Sequence, residues 1–179
     1  MFKRNLLVIL FCFTAAMAEV IKMGDFMDPR DGQKYKTVQI GDQRWFAENL
    51  RFKLKGTQCY DNNEANCWRY GRLYTWAAAM RLVDWFNTNE ASKARKNVHD
   101  VCPQGWRVPT NKDWKKLRHF VGKRGKSDGV GISLKSQHGW DVELRIPAGS
   151  DEFGFNATAA GERHYIGSLV FFGGAAGGW

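Results

Sequence analysis

The N-terminus constrains this chain more than any other feature, because it removes residues 1–18 from the part that folds. Two basic residues precede an apolar run from Leu6 to Phe13, and small residues follow as far as Ala18. This order is typical of a secretory signal peptide, cleaved before Glu19. A membrane anchor is the weaker interpretation, because the apolar run is shorter than the roughly 20 residues that span a bilayer.

The remaining chain has the length of one domain. The full sequence is 44% hydrophobic and has eight tryptophans, which supply material for a core. No later run is apolar enough to span a membrane. We therefore expect a secreted or extracytoplasmic protein, in the periplasm or on the surface of a bacterium. The formal net charge is +9. An exported protein seldom meets nucleic acid, so an anionic envelope glycan is the better candidate partner, and a solvated basic surface is the simpler alternative.

Three cysteines remain after the predicted cleavage. Cys59 and Cys67 flank a polar loop that one disulfide could close in an oxidising compartment. Cys102 is then left unpaired. An odd cysteine in an exported protein indicates a reactive thiol, an intermolecular bond or a missing partner.

The secondary structure is predicted to begin with a hairpin. Residues 35–40 and 44–46 are rich in strand formers, and Gly41-Asp42-Gln43 supplies the turn. Apolar residues then recur at helical spacing from Gly71, which predicts a helix ending near Asn87.

The start of a second helix is clearly indicated, because Thr110 is a typical N-cap and Asp113 stands at its capping-box position. Leu117 and Val121 lie on its apolar face, and its other face is basic. Short strands are predicted later in the chain, at residues 131–134 and 168–172. The order of elements predicts an α+β fold.

Several motifs, in this order, resemble the Fibrobacter succinogenes major paralogous domain. They are DGQKY (31–35), VQIG (38–41), WFAENL (45–50), YGRLYTW (70–76), CPQGWRVPT (102–110), GFNA (154–157) and AG (160–161). The resemblance implies a domain at residues 31–179, which leaves residues 19–30 as an N-terminal leader segment. This family occurs in exported and surface proteins of Bacteroidetes and fibre-degrading bacteria, and its biochemical role is largely unassigned.

The WRVPT stretch is also similar to a segment of formylglycine-generating-enzyme-like domains, which have the C-type lectin fold. By fold-level analogy we expect a C-type lectin-like domain with two helices and a small twisted antiparallel sheet. The family usually continues to a closing segment with an Arg-Cys pair, which would provide a partner for Cys102. Since this chain stops at Trp179, the resemblance implies a domain truncated at its C-terminus.

Catalysis and metal binding find little support in the residues. The late region lacks the paired cysteines of formylglycine-generating enzymes, so we expect no enzyme activity. His99 lies three residues before Cys102 and could activate its thiol, but a surface histidine is the ordinary explanation. The loop from Asp61 to Glu64 offers calcium-type oxygens, but a polar turn is the simpler explanation. The histidines lack metal-ligand spacing, and we expect no metal and no cofactor.

Tryptophans divide into two groups. Core packing is expected for those within the motifs or on apolar faces, namely Trp45, Trp76, Trp106 and Trp114. Three others have polar neighbours and are candidates for exposed rings that stack on sugars, namely Trp68, Trp85 and Trp140. Half-buried packing is the ordinary alternative for these three.

The functional hypothesis is a non-catalytic surface or periplasmic binding domain for polysaccharide or another envelope component. One alternative is a formylglycine-generating-enzyme-like protein that has lost its catalytic cysteines. A degenerate structural paralogue is another.

Overall fold

The structure is a computed structural model that describes residues 21–87, 100–126, 129–140, 147–163 and 169–170. In these residues the fold is α+β with small antiparallel sheets, as predicted, but it has four α-helices where two were expected. The strands are β1 (Lys22–Met27), β2 (Lys34–Ile40), β3 (Gln43–Phe46), β4 (Thr57–Gln58), β5 (Leu73–Tyr74), β6 (Glu162–Arg163) and β7 (Leu169–Val170). The helices are α1 (Glu64–Tyr70), α2 (Trp76–Ala79), α3 (Asn111–Arg124) and α4 (Val130–Leu134), and short 3-10 turns occupy Tyr60–Asn62 and Asp84–Asn87.

The predicted hairpin is confirmed by strands β2 and β3. Ile40 pairs with Gln43 across a two-residue turn, and Gly41 takes a positive φ of 60° there. A side chain at Gly41 would also be obstructed, because a Cβ built on it lies 2.8 Å from the ring of Phe120. The turn therefore requires glycine for its backbone conformation and for its close approach to α3.

Strand β1 forms the edge of the main sheet, which has the order β1-β2-β3. It runs antiparallel to β2, with Lys22 opposite Gln39 and Met27 opposite Lys34. This strand lies within residues 19–30, which the family resemblance leaves as a leader segment, and no pattern in the sequence predicts it. Most side chains of β1 are exposed or half-buried, so the strand lacks the clear apolar alternation that identifies a half-buried strand.

Helix α3 begins as predicted, with Thr110 as N-cap and a complete capping box to Asp113. The hydroxyl of Thr110 accepts the backbone N–H of Asp113, and the carboxylate of Asp113 accepts the backbone N–H of Thr110 at 2.7 Å. Leu117 and Val121 are completely buried on the apolar face. The core lies between this face and the main sheet, and its buried members are Val38, Ile40, Trp45, Ala47, Leu117, Val121, Leu134 and Phe153.

The helix predicted from Gly71 to near Asn87 is wrong in its extent. Residues Leu73–Tyr74 instead form β5, which pairs with β4, and only the four residues of α2 are α-helical. Arg81 then takes a positive φ of 51°, which ends the helix because a continuing helix needs negative φ at every residue. The apolar spacing reflects a strand, a helical turn and a 3-10 turn in succession.

The strand predicted at residues 131–134 is also wrong, because Val130–Leu134 forms the helix α4. Ser133 donates its backbone N–H to the carbonyl of Gly129 at 3.2 Å, and Ser133 and Leu134 are buried. The strand predicted at residues 168–172 is present at Leu169–Val170, and residues 168, 171 and 172 lie outside the described part. Within the described ranges, no helix is both long and apolar enough to cross a membrane.

Candidate functional site

A cleft of about 370 Å³ opens between the loop that follows β3, the second half of α1 and residues 151–158. We call it the Trp68 cleft, after the exposed ring on its wall. Its lining includes Glu48 and Asn49 from the WFAENL motif, Gly71 from the YGRLYTW motif and Asn156 from the GFNA motif. Three motifs that are far apart in the sequence therefore converge on one concave surface.

Two asparagines fasten the walls of this cleft. The Asn49 amide nitrogen donates to the carbonyl of Tyr70 at 2.8 Å and to the hydroxyl of Thr158 at 3.1 Å. The Asn156 amide nitrogen donates to the carbonyl of Ala47 at 3.3 Å. These bonds join the loop after β3 to α1 on one side and to residues 151–158 on the other, so the cleft shape is built by side chains of its own motifs.

Gly71 closes the base of the cleft against Asn49. A Cβ at this position would lie 2.2 Å from the Cβ of Asn49, and Gly71 has a positive φ of 81°. Its backbone N–H also bonds to the carbonyl of Cys67 and ends α1. Only glycine combines this conformation with such a close approach.

Arg51 forms a mostly buried support beneath the exposed tryptophan. Its guanidinium donates to the Glu48 carboxylate at 2.6 Å and to the Lys34 carbonyl at 2.7 Å. It also lies 4.5 Å from the ring centroid of Tyr35 and 5.3 Å from that of Trp68. Because its hydrogen bonds and stacking contacts are satisfied within the protein, Arg51 holds the cleft together.

Trp68 lies on this cleft and is 69% exposed, as the sequence predicted. The short helix that carries it is capped by Asn63, whose side chain accepts the backbone N–H of Ala65 at 3.0 Å. Its neighbour Cys67 is buried and bonded to Cys59, which is the disulfide predicted from the polar loop. The bridge and the cap together fix a short helix on which a large apolar ring faces solvent.

The other two predicted stacking residues lie elsewhere. Trp85 is 56% exposed but does not line the Trp68 cleft. Trp140 was wrongly expected to be exposed, because it is only 7% exposed. Its indole N–H donates to the Ser136 carbonyl at 2.9 Å and to the Ser136 hydroxyl at 3.0 Å, and the Lys135 ammonium lies 4.3 Å from its ring. The polar residues near Trp140 in the sequence therefore bind its indole N–H and contact its ring, and the ring is buried.

Among the tryptophans expected in the core, three pack as predicted and one does not. Trp45 is buried against Trp114 with ring centroids 4.9 Å apart, and Trp106 stacks on Phe46 at 4.1 Å. Trp76 was expected to be buried but is 48% exposed, because it stands on the isolated turn of α2 instead of on a long amphipathic helix.

Asp151 is the half-buried carboxylate of the cleft. Its Oδ1 accepts the backbone N–H of Asn156 at 2.7 Å, and burial raises the pKa of this carboxyl above its ordinary value. Among the described residues, no cation lies within ion-pair distance of Asp151. The group can therefore accept a hydrogen bond from a ligand, and when protonated it can donate one.

Cys102 is a free, half-buried thiol among the described residues. Burial, together with the nearby carboxylate of Asp100, raises the pKa of Cys102 to about 12. The same carboxylate accepts the backbone N–H groups of Cys102 at 2.8 Å and of Val108 at 2.7 Å. The thiol is thus protonated at neutral pH. His99, the suggested activating partner, lies outside the described residues.

The oxygens of the polar loop are partly engaged within the protein. Glu64 forms ion pairs with Arg72 at 2.8 Å and with Lys53 at 3.5 Å, and Asn63 caps α1. The potential ligand atoms of Cys59, Glu64 and Cys67 lie within 4.8 Å of one another, but the two sulfurs are bonded to each other and offer no thiolate. These contacts are those of a polar turn with an adjoining helix cap.

In the sequence, Glu48, Asn49 and Asn156 stand out only as members of the family motifs, and nothing there indicates that they line one cleft. The motifs do contain a feature that could have indicated the cleft, namely their asparagines. Asn49 and Asn156 are polar residues next to strand or core positions, where a buried amide needs a partner. Arg69 and Asp151 gave no such signal, because single charged residues with polar neighbours are common on surfaces.

Comparison with known proteins gives one match. No curated protein and no solved structure matches the chain. The chain does match the Fibrobacter succinogenes major domain over residues 38–179, which is most of its length and includes all the described wall residues of the cleft except Met23 and Lys36. This protein belongs to the Fibrobacter succinogenes major domain family.

Proposed function

We propose that this protein is an exported, non-catalytic binding domain of the bacterial surface or periplasm, and that its ligand is a polysaccharide or another glycan of the envelope. The observation that carries the proposal is the position of Trp68, an exposed ring on the wall of a polar cleft. Sugars present both an apolar ring face and hydroxyl groups. A flat aromatic surface beside hydrogen-bonding groups is complementary to both.

The size of the cleft supports this ligand class. Its volume of about 370 Å³ falls within the range of about 300–1,000 Å³ that small-molecule sites occupy. A cleft of this size can hold one or two sugar units. Exposure of most of a tryptophan ring to water is unfavourable, since full burial of a large apolar side chain contributes about 1.5–3 kcal/mol. Contact with a ligand would remove part of that ring from water.

The proposed export and the proposed fold each have separate support. The bridge between Cys59 and Cys67 suits an oxidising compartment, where disulfides persist, and residues 1–20, which hold the predicted signal peptide, lie outside the described part. The finer fold assignment is a C-type lectin-like domain. Its supports are the resemblance around Trp106 and the combination of short helices with small antiparallel sheets.

The Cys102 thiol does not support the enzyme alternative, which would need it as a nucleophile. A pKa of about 12 for Cys102 leaves very little thiolate at neutral pH, and the thiolate is the nucleophilic form. The degenerate-paralogue alternative predicts a site that has lost its internal order. The asparagine bonds of the Trp68 cleft favour a maintained binding surface instead.

The test is glycan binding by the exported chain and two matched variants. Trp68→Ala removes the ring from the cleft, and Trp85→Ala removes a comparably exposed ring that does not line it. Affinity electrophoresis or calorimetry against neutral and acidic polysaccharides should show binding that Trp68→Ala weakens about tenfold, or about 1.4 kcal/mol. Trp85→Ala should bind like the wild type.

Circular dichroism of each variant establishes that the protein is folded. Equal loss of binding in both variants would contradict a site at Trp68. A folded wild-type protein that binds no glycan in the panel would contradict the function itself.

A further inference from the structure

We infer that the Trp68 cleft selects a sugar unit that bears a carboxylate, with Trp68 against the sugar ring and Arg69 paired with the carboxylate. This inference rests on the proposed function and adds the chemical class of the ligand. It follows from a comparison of the charged groups that line the cleft, because most of them are already paired within the protein.

Two of the three basic residues in the lining have internal partners. The Lys36 ammonium lies 2.7 Å from the Asp25 carboxylate, although this pair is exposed. The Arg51 guanidinium is bound to Glu48 at 2.6 Å and to the Lys34 carbonyl. A ligand would have to break these contacts to use either cation fully.

Arg69 differs from both. It lies in the last turn of α1 and is exposed, and among the described residues no carboxylate lies within ion-pair distance of its guanidinium. Its guanidinium lies against the ring of Tyr70, whose centroid is 4.9 Å away. That contact restricts the side chain without neutralising it, so less conformational entropy is lost when an anion binds.

The two acidic residues of the cleft, Glu48 and Asp151, restrict where an anionic group of a ligand can bind. Glu48 accepts the Arg51 guanidinium and the Lys36 backbone N–H at 3.0 Å. Asp151 is half-buried and accepts a backbone N–H. Both carboxylates would repel a ligand anion placed beside them. The favourable arrangement puts the anionic group at Arg69 and a hydroxyl at Asp151.

The geometry of the guanidinium favours a carboxylate. Two parallel N–H donors match the two oxygens of a planar carboxylate, and such charge-assisted pairs are stronger than neutral hydrogen bonds. Trp68 precedes Arg69 directly in α1, and both residues line the cleft. A uronic acid unit carries its carboxylate directly on the sugar ring, which suits two adjacent contacts of this kind.

The experiment compares polymers that carry free carboxylates with the same polymers after methyl esterification, which removes the charge. Polygalacturonate and alginate are each compared with their methyl esters, by calorimetry or affinity electrophoresis with the full exported chain. The wild type should bind at least one free acid about tenfold more tightly than its ester. Arg69→Gln should bring that ratio close to one, whereas Trp68→Ala should weaken binding to acid and ester together.

A matched control removes one positive charge away from the cleft. Lys115 is exposed on α3 and does not line the site, so Lys115→Gln should leave the acid-to-ester ratio unchanged. An equal loss of the ratio in Lys115→Gln and Arg69→Gln would overturn the inference in favour of nonspecific attraction. Equal binding of acids and esters, or binding of neutral glycans only, would overturn the inference and leave the proposed function intact. Binding of no glycan would overturn both.

Discussion

The guanidinium of Arg107 contacts both oxygens of the Asp113 carboxylate, at 2.6 Å and 2.7 Å. The same carboxylate completes the capping box of α3 through Thr110. One acidic residue therefore joins the CPQGWRVPT motif to the start of the longest helix. Hydrogen bonds from Arg107 and Thr110 hold the pKa of Asp113 well below its usual range.

Asp113→Ala should lower the free energy of unfolding by about 1 kcal/mol at pH 7, because it removes the Asp113 half of the capping box and the partner of Arg107. The pKa of Asp113 is depressed in the folded state, so its contribution is complete above about pH 4 and is lost as the pH falls. The difference from the wild type in urea denaturation should thus shrink in acid. Asp42→Ala, which removes an exposed partner of Lys116, should change stability by less than about 0.5 kcal/mol at either pH. A deficit that stays constant to pH 2 would contradict this assignment.

Gly71→Ala should destabilise the protein by about 2–6 kcal/mol. The substitution adds the strain of a positive φ with an extended ψ, about 1–3 kcal/mol, to an overlap with Asn49 that costs about 1–3 kcal/mol. Gly32→Ala is the matched control, since Gly32 has a φ of 72° but no atom near the added Cβ. Thermal or urea denaturation should show a clearly larger loss at Gly71. Equal losses would mean that the backbone moves away from Asn49 at little cost.

Removal of the disulfide through Cys59→Ser with Cys67→Ser should lower stability by about 2.5 kcal/mol, which the chain-entropy relation gives for so short a loop. The two residues are separated by 8 positions. Reduction of the wild type should produce a loss of similar size, and the reductant should leave the double variant unaffected. If peptide mapping without reduction finds both thiols free, the pairing is incorrect.

Cys102 should react slowly with a thiol reagent in the folded protein. Burial and Asp100 raise its pKa to about 12, so at pH 8 the thiolate fraction is about a hundredfold or more below that of an ordinary cysteine. Denaturant should restore a normal rate, and Asp100→Asn should increase the rate in the folded state. The measurement is absorbance release from an aromatic disulfide reagent, and a fast folded-state reaction at neutral pH would contradict the expected protection.

Trp140→Ala should destabilise the protein by about 3–5 kcal/mol, as expected for truncation of a buried aromatic residue. It also leaves the Ser136 acceptors without the indole donor. Trp68→Ala should change stability by no more than about 0.5 kcal/mol, because most of that ring is already in solvent. Urea denaturation of the two variants distinguishes a structural tryptophan from a binding one, and similar stabilities would contradict the assignment.

Local signals in the sequence predicted the parts of the fold that local interactions determine. The capping box at Thr110 and the turn at Gly41 each depend on residues close together in the chain, and both predictions are confirmed. Family resemblance identified the motifs but did not show that they meet. Their meeting depends on bonds such as that between Asn49 and Thr158, which are 109 positions apart.

Two predictions failed at positions where the residue types nearby did not reveal burial or backbone conformation. Trp140 has polar neighbours in sequence, yet it is buried because those neighbours satisfy its N–H and stack on its ring. Residues 131–134 look like a strand from composition, but Gly129 begins a helical turn and Leu134 packs in the core. Strand propensity is a weak prior, and at residues 131–134 the packing of Leu134 in the core outweighs it.

The pairing of β1 with β2 has a practical consequence for choosing where a recombinant fragment should begin. The family match starts at residue 38, in the middle of β2, and a fragment cut there would discard the edge strand and half of its neighbour. It would also lose buried Asp28, whose partner Arg30 donates to the Val101 carbonyl at 2.7 Å, and the Tyr35 hydroxyl that accepts the Arg51 backbone N–H. The cooperative unit thus extends upstream of the region by which the family is recognised, and a first residue no later than Ile21 preserves it.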